Sequence, residues 1–206
     1  MAQRIKMVKY LDSNPPSGLD IRPVDKDRIR EIAKIMLDSY IDTPDYEGES
    51  LNDTIKEISM VFRGYYGQFL EDASFLICNE EDEIVSCLFV CDFKNEATIT
   101  YLFTRKDHLG RGFATALIHS AEHALLDKGY DRIFLFVSRN NNPAVQLYLN
   151  LGFMEIPLNT SPIDREFLKE VREWELNFSP IGDERTIAQI IDHEFEIDST
   201  RPVESR

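Results

Sequence analysis

The sequence predicts a mixed α/β (α+β) domain, and three observations lead there. A chain of 206 residues, 43% of them hydrophobic, can bury one core and is short for two full domains. Three short apolar runs between residues 73 and 104 are separated by polar turns, the pattern of an antiparallel meander. From Ala97 to Ile156, strand-like and helix-like stretches then alternate as β-α-β-α-β.

The elements follow in chain order. Leu19–Arg22 alternates apolar and polar residues like a short strand that Pro23 stops, and Asp25 stands where a helix cap is wanted. Ile29, Ile32, Ala33, Met36, Leu37 and Tyr40 share one face of a first helix. A loop from Thr43 to Ser50 leads to a second, with Leu51, Ile55, Ile58, Phe62 and Tyr65 on one stripe and Gly64 and Gly67 closing it. The meander strands are Ala73–Cys78, Ile84–Asp92 and Ala97–Thr104. Phe113, Leu117, Ile118, Ala121 and Leu125 define a third helix, ended by Lys128 and Gly129. Ile133–Val137 is an apolar strand, followed by a short helix through Leu151 and a strand at Phe153–Ile156. Beyond residue 157, Ile163, Phe167, Leu168 and Val171 are helix-spaced. Trp174–Phe178 suits a closing strand and Ile187–Ile191 a short helix, with a frayed tail from Asp198.

Charge and composition exclude several functions. The formal charge of −14 disfavours nucleic acid and acidic membranes, so an anionic ligand needs a local positive site. No run approaches the ~18 apolar residues of a membrane span, and the opening residues lack the apolar stretch of a secretory signal, so a cytoplasmic location is expected. Cys78, Cys87 and Cys91 have neither even number nor metal-site spacing; they read as buried reduced thiols, and no metal is expected.

The chemistry concentrates where the strand ending at Thr104 runs through Arg105-Lys-Asp-His-Leu109-Gly110-Arg111-Gly112-Phe113-Ala114 into a helix. Glycines at 110 and 112 let the backbone curl, so that helix N-terminal N–H groups converge on an oxygen-rich anion such as a phosphate. Arg105, Lys106 and Arg111 add positive charge locally. Phe113 and Ala114 after Gly112 do not make a nucleoside-triphosphate loop. Thr115 and the acid-free Ile133–Val137 do not make a dinucleotide fingerprint.

Together with the segment Asn141-Asn-Pro-Ala144-Val-Gln-Leu-Tyr148-Leu-Asn-Leu-Gly152-Phe153, this turn resembles the GNAT acyltransferase superfamily over roughly residues 19–157. Five positions match at fixed spacing: Asn141, Ala144, Tyr148, Gly152 and Phe153. The resemblance implies a mixed, mostly antiparallel sheet with helices on both faces and a V-shaped splay between the fourth and fifth strands. It implies a domain over 19–178, flanked by an N-terminal extension (1–18) and a C-terminal one (179–206). Acetyl-coenzyme A would be the acyl donor. Its pyrophosphate would be cradled at Leu109, Gly110, Arg111, Gly112, Phe113 and Ala114, with Leu109 standing where Arg or Gln is usual and Arg111 or Arg105 able to supply the missing charge. Its pantetheine arm would lie along Leu102, Phe103 and Thr104 and beside Asn141, and Tyr148 would aim its hydroxyl at the thioester sulfur.

That reading needs an amine acceptor and a base, because an alkylamine of pKa ~10.4 is protonated at neutral pH and only the neutral form attacks a thioester. Glu96 is the first candidate, beside Asp92 and a water relayed by Thr100 or Tyr101. No Cys or Ser sits beside a His partner in the matched segments, which points to direct transfer in a ternary complex. Between Asp38 and Glu57 seven acids face Lys56 alone, an environment that draws a cationic amine, with Asp45, Tyr46 and Glu47 as acceptor-binding candidates and Tyr65 and Tyr66 as further lining. A small molecule or a peptide amine would serve, and the chain is compatible with a homodimer. The competing readings are a non-catalytic coenzyme-A-binding regulatory module and a protein-modifying acetyltransferase; retention of Tyr148 favours an enzyme over the former.

Overall fold

The computed structural model describes residues 4–13, 18–41, 43 and 46–157. The elements expected beyond residue 157, and Asp45 in the acidic loop, lie outside the described residues.

The chain begins with a strand that its sequence conceals. In β1 (Arg4–Tyr10) the five residues from Ile5 to Lys9 are all buried, two of them lysines, so no polar–apolar alternation marks it. Then come β2 (Ile21–Pro23), a 3₁₀ turn at Lys26–Arg28, α1 (Ile29–Tyr40), α2 (Leu51–Phe62), β3 (Gln68–Phe69), β4 (Phe75–Cys78), β5 (Ile84–Phe93) and β6 (Glu96–Thr104). After α3 (Phe113–Asp127), β7 (Arg132–Ser138), α4 (Asn142–Asn150) and β8 (Met154–Ile156) complete the described domain. The strands form one sheet in the order β2-β4-β5-β6-β7-β1-β8, with β3 paired to β5. Every pairing is antiparallel except that of β6 with β7.

Two local expectations change. Asp25 caps the 3₁₀ turn, accepting from the Asp27 N–H at 3.0 Å, and not α1 itself. Pro23 is the last residue of β2 and not the stop just beyond it, because β2 is an edge strand and a missing N–H costs nothing on its outer side. The larger change is at the N-terminus. Residues 4–10, read as part of an extension, lie inside the sheet: Arg4 to Tyr10 pair with Ser138 to Arg132 on one side, and Lys6 to Val8 with Ile156 to Met154 on the other.

α3 and Tyr148 of α4 close one face of the sheet over Ile5, Met7, Leu88, Val90, Ile99 and Leu135. Alternation along β5 sends Phe89 to the opposite face, where its ring meets Phe62 of α2 and Phe69 edge-on. α1 packs on β5 and β6 and against α2. Among the described residues no helix is long and apolar enough to cross a membrane. Cys87 and Cys91 are buried, Cys78 is partly so, and all three are free thiols.

Candidate active site

β6 and β7 pair at two positions only, Thr98 with Phe134 and Ile99 with Leu135. Past Ile99 they part, and the expected splay opens between them. A bulge marks the place: Phe89 faces Tyr101 and Val90 faces Ile99, so Thr100 is an extra residue in β6. The bulge resets the alternation, so that Ile99 and Leu102 both join the core under α3, while the Tyr101 and Phe103 rings turn to the other face against Phe89.

The backbone along the opening is now assignable. The Arg105 N–H donates to the Val85 carbonyl at 2.8 Å, so by antiparallel alternation Phe103 also directs its N–H and C=O to β5. Leu102 and Thr104 direct theirs to the opening, and the Thr104 carbonyl accepts from the Ser39 hydroxyl at 3.1 Å. Of the three residues expected to pair with an extended ligand, Leu102 and Thr104 are so placed. Phe103 is not; its backbone belongs to β5 and its ring to the core.

β6 leads into the basic turn. Gly110 and Gly112 have φ of +74° and +79°, the left-handed region that favours glycine, and Gly112 is the N-cap of α3 without any side-chain cap bond. The Ala116 N–H is the first used inside the helix, on the Gly112 carbonyl at 3.0 Å, which leaves those of Phe113, Ala114 and Thr115 directed out of its end. No acidic residue lies in that first turn, so the positive end of the helix is unopposed. Leu109 is 63% exposed and contributes no charge. Nor does Arg105: its guanidinium is bound to Asp107 (2.7 and 2.8 Å) and to Glu83 (2.8 Å), and it holds both carboxyls below the usual range. Lys106 donates to the Ile41 carbonyl at 2.8 Å. Arg111 is exposed at the turn, as Lys106 is, with a 3.3 Å bond to the Asp107 carbonyl.

Across the splay, Asn141 caps α4 by accepting from the Ala144 N–H at 3.4 Å. Tyr148 is buried, its ring edge-on to Phe153 at 5.6 Å, and its carbonyl accepts from the Phe153 N–H at 3.0 Å, so the Tyr148–Gly152–Phe153 spacing is one turn that returns the chain onto the tyrosine.

The base candidates are placed differently. Glu96 lies three residues before the last β6–β7 pair, on the closed side of the splay, with its carboxylate 2.7 Å from the Lys6 ammonium, which is 1% exposed. Lys6 comes from β1, the strand absent from the sequence reading, so this pairing was invisible there. Asp92 accepts from the Tyr130 hydroxyl and from the Asn95 N–H at 2.7 Å and serves the β5–β6 turn. In the acidic loop Glu47 is exposed, its N–H on a Glu49 carboxylate oxygen at 3.0 Å, and the Tyr46 hydroxyl reaches the Glu49 carbonyl at 3.5 Å. Tyr65 is 56% exposed, whereas Tyr66 is buried.

A carboxylate that the sequence reading did not single out as a base, Glu57, lies beside the splayed part of β6. It falls three residues after Thr54 and four before Val61, both buried, so it lies at the inner edge of α2. Its Oε1 accepts from the hydroxyls of Tyr66 (2.6 Å) and Tyr101. Burial pushes its carboxyl above the usual range, opposed by those two bonds and the Arg4 charge.

Comparison with known proteins agrees with this geometry. A short stretch of 48 residues, 23% of the chain, is 38% identical to mycothiol acetyltransferase of Corynebacterium aurimucosum and takes in only 16% of that protein's length. The fold resembles an acetyltransferase of the GNAT family from Staphylococcus aureus (TM-score 0.57, 18% identity, 69% of this chain and 89% of that one). It also resembles the PaiA N-acetyltransferase of Thermoplasma acidophilum, solved in complex with coenzyme A (TM-score 0.54, 17% identity, 67% and 91%). The model of the acetyltransferase (GNAT) family matches residues 31–153, more than half of the sequence, and the chain belongs to that family.

Proposed function

We propose that this chain transfers an acetyl group from acetyl-coenzyme A to a primary amine, by direct attack within a ternary complex. The observation that carries the reading is that one strand, β6, supplies both halves of a donor site: the open backbone edge past Thr100 and the basic glycine turn that presents the α3 N–H groups. The pyrophosphate binds at Gly110–Ala114 with Arg111 beside it. The pantetheine arm lies along Leu102 and Thr104, near Asn141, as an extra strand would. The neutral amine attacks the thioester carbonyl, a C–N bond forms and the C–S bond breaks. Tyr148 gives its phenolic proton to the departing thiolate and recovers one from the nitrogen, so the products are an amide and a free thiol. The Thermoplasma relative, crystallised with coenzyme A, supports the choice of donor.

The test is calorimetric titration with acetyl-coenzyme A, followed by thiol release in the presence of primary amines. A Cβ added at Gly112 meets nothing within 4 Å, so a substituent there enters the space in front of the turn. Gly112→Glu should abolish donor binding, since it sets bulk and negative charge where the pyrophosphate must sit. Gly112→Ala shares the left-handed strain and controls for it. Unchanged affinity in a folded Gly112→Glu protein would refute the site, and binding without thiol release would return the chain to a non-catalytic module.

A further inference from the structure

The second oxygen of Glu57, Oε2, is buried and has no hydrogen-bond partner. Buried carboxylate oxygens are nearly always satisfied, because desolvating one without a donor is costly, so an exception asks for an explanation. Here two phenols on Oε1 fix the carboxylate and leave Oε2 as an acceptor without a donor. Its position is informative. Tyr101 follows the bulge on the part of β6 that has left β7, and the guanidinium of Arg4, at the start of β1 on the far arm of the splay, is close enough to act on the carboxylate charge. Glu57 therefore stands over the opening, where an acceptor must meet the thioester.

We propose that Glu57 is the acceptor site's anion: Oε2 binds the ammonium of a primary alkylamine and takes its proton before attack. This rests on the acetyl-transfer reading above and names the acceptor class for it. The step is R–NH₃⁺ plus carboxylate giving R–NH₂ plus carboxylic acid; the neutral amine then forms the C–N bond, and the Glu57 proton passes to water. The exposed ring of Tyr65 lies edge-on to Tyr66, whose hydroxyl holds the other carboxylate oxygen, so an alkyl or aryl stem on the ammonium has an apolar neighbour there. The groups that set the titration are Tyr66, Tyr101, Arg4 and Glu49. Glu47, exposed on the acidic loop, acts at longer range as an attractor.

The experiment titrates the coenzyme-A-loaded protein with ethylamine, hexylamine and phenethylamine, following the tyrosine near-ultraviolet difference spectrum, and measures acetyl-coenzyme A affinity separately. At least one amine should saturate the wild type. Glu57→Gln should weaken that binding by about ten- to a hundredfold while donor affinity stays within about twofold. In turnover, the acid limb of the wild-type pH–rate profile, where Glu57 takes up a proton, should be missing from Glu57→Gln. If the glutamine variant does not fold, Glu57→Asp keeps the charge and should show weakened amine binding with normal donor affinity. A wild type saturated by none of these amines, or a Glu57→Gln protein that binds them as well as wild type, overturns the proposal. Failure of acetyl-coenzyme A to bind the wild type overturns the acetyl-transfer reading instead.

Discussion

Tyr148 shows how much one residue's role depends on being held. Its ring packs on Phe153, so Tyr148→Phe keeps the buried surface and removes only the hydroxyl. In the proposed reaction that proton matters as the C–S bond breaks, so kcat should fall by about a hundredfold or somewhat less, with donor affinity close to normal. Rates measured under conditions where chemistry limits turnover, beside calorimetric binding, check both halves. A kcat equal to wild type would leave the tyrosine with its packing alone. The two glutamates make the complementary point. In sequence Glu96 ranks first as the base, whereas Glu57 is only one of the seven acids between Asp38 and Glu57. The difference is that one meets a buried ammonium and the other two phenols and an empty acceptor position, and those partners lie 90, 9 and 44 residues away.

Elements with a local cause were legible. α2 starts with a complete capping box: Ser50 accepts from the Asp53 N–H at 3.3 Å, and Asp53 accepts from the Ser50 N–H at 2.9 Å. Ser50→Ala should cost about 1 kcal/mol in thermal or denaturant unfolding. The loss should also be pH-dependent. The Ser50 bonds hold the Asp53 carboxyl below the usual aspartate range, so their contribution is complete above the unfolded-state pKa and disappears as pH falls through the lowered folded one. Melts of the two proteins should therefore draw closer in acid, leaving only the part due to the Ser50 hydroxyl on the Asp53 N–H, which does not titrate; a gap that is the same at every pH would argue that the Asp53 carboxylate adds nothing to the Ser50 cap. The start of α3 was legible for the same local reason. Gly-Arg-Gly between a strand and an amphipathic run specifies a left-handed turn into a helix, whatever packs around it.

At the scale of the whole molecule, β1 decides the architecture. It lies between β7 and β8, outside the matched residues 31–153, and Lys9 forms an ion pair from it to Glu122 of α3, with side chains 6% and 0% exposed. Lys9→Met leaves a buried carboxylate without its ammonium and should lower stability by about 3–5 kcal/mol, whereas Lys9→Met combined with Glu122→Leu should recover most of that. Thermal unfolding of the single and double variants checks it, and a single variant as stable as wild type would mean that β1 is held by its ladders alone.

The sequence by itself determined the helices before residue 157, the meander, the glycine turn and the Asn141–Tyr148–Phe153 spacing, because each is a matter of neighbours within a few turns or one hairpin. It concealed β1, whose lysines at 6 and 9 look solvent-facing until carboxylates 90 and more residues away are set against them. Only the tertiary structure decided that Phe103 turns its backbone to β5, that Arg105 is neutralised and that Glu57 keeps a buried carboxylate oxygen without a donor. Register, ion pairing and burial are properties of pairs of segments, and no residue carries them in its own short-range pattern.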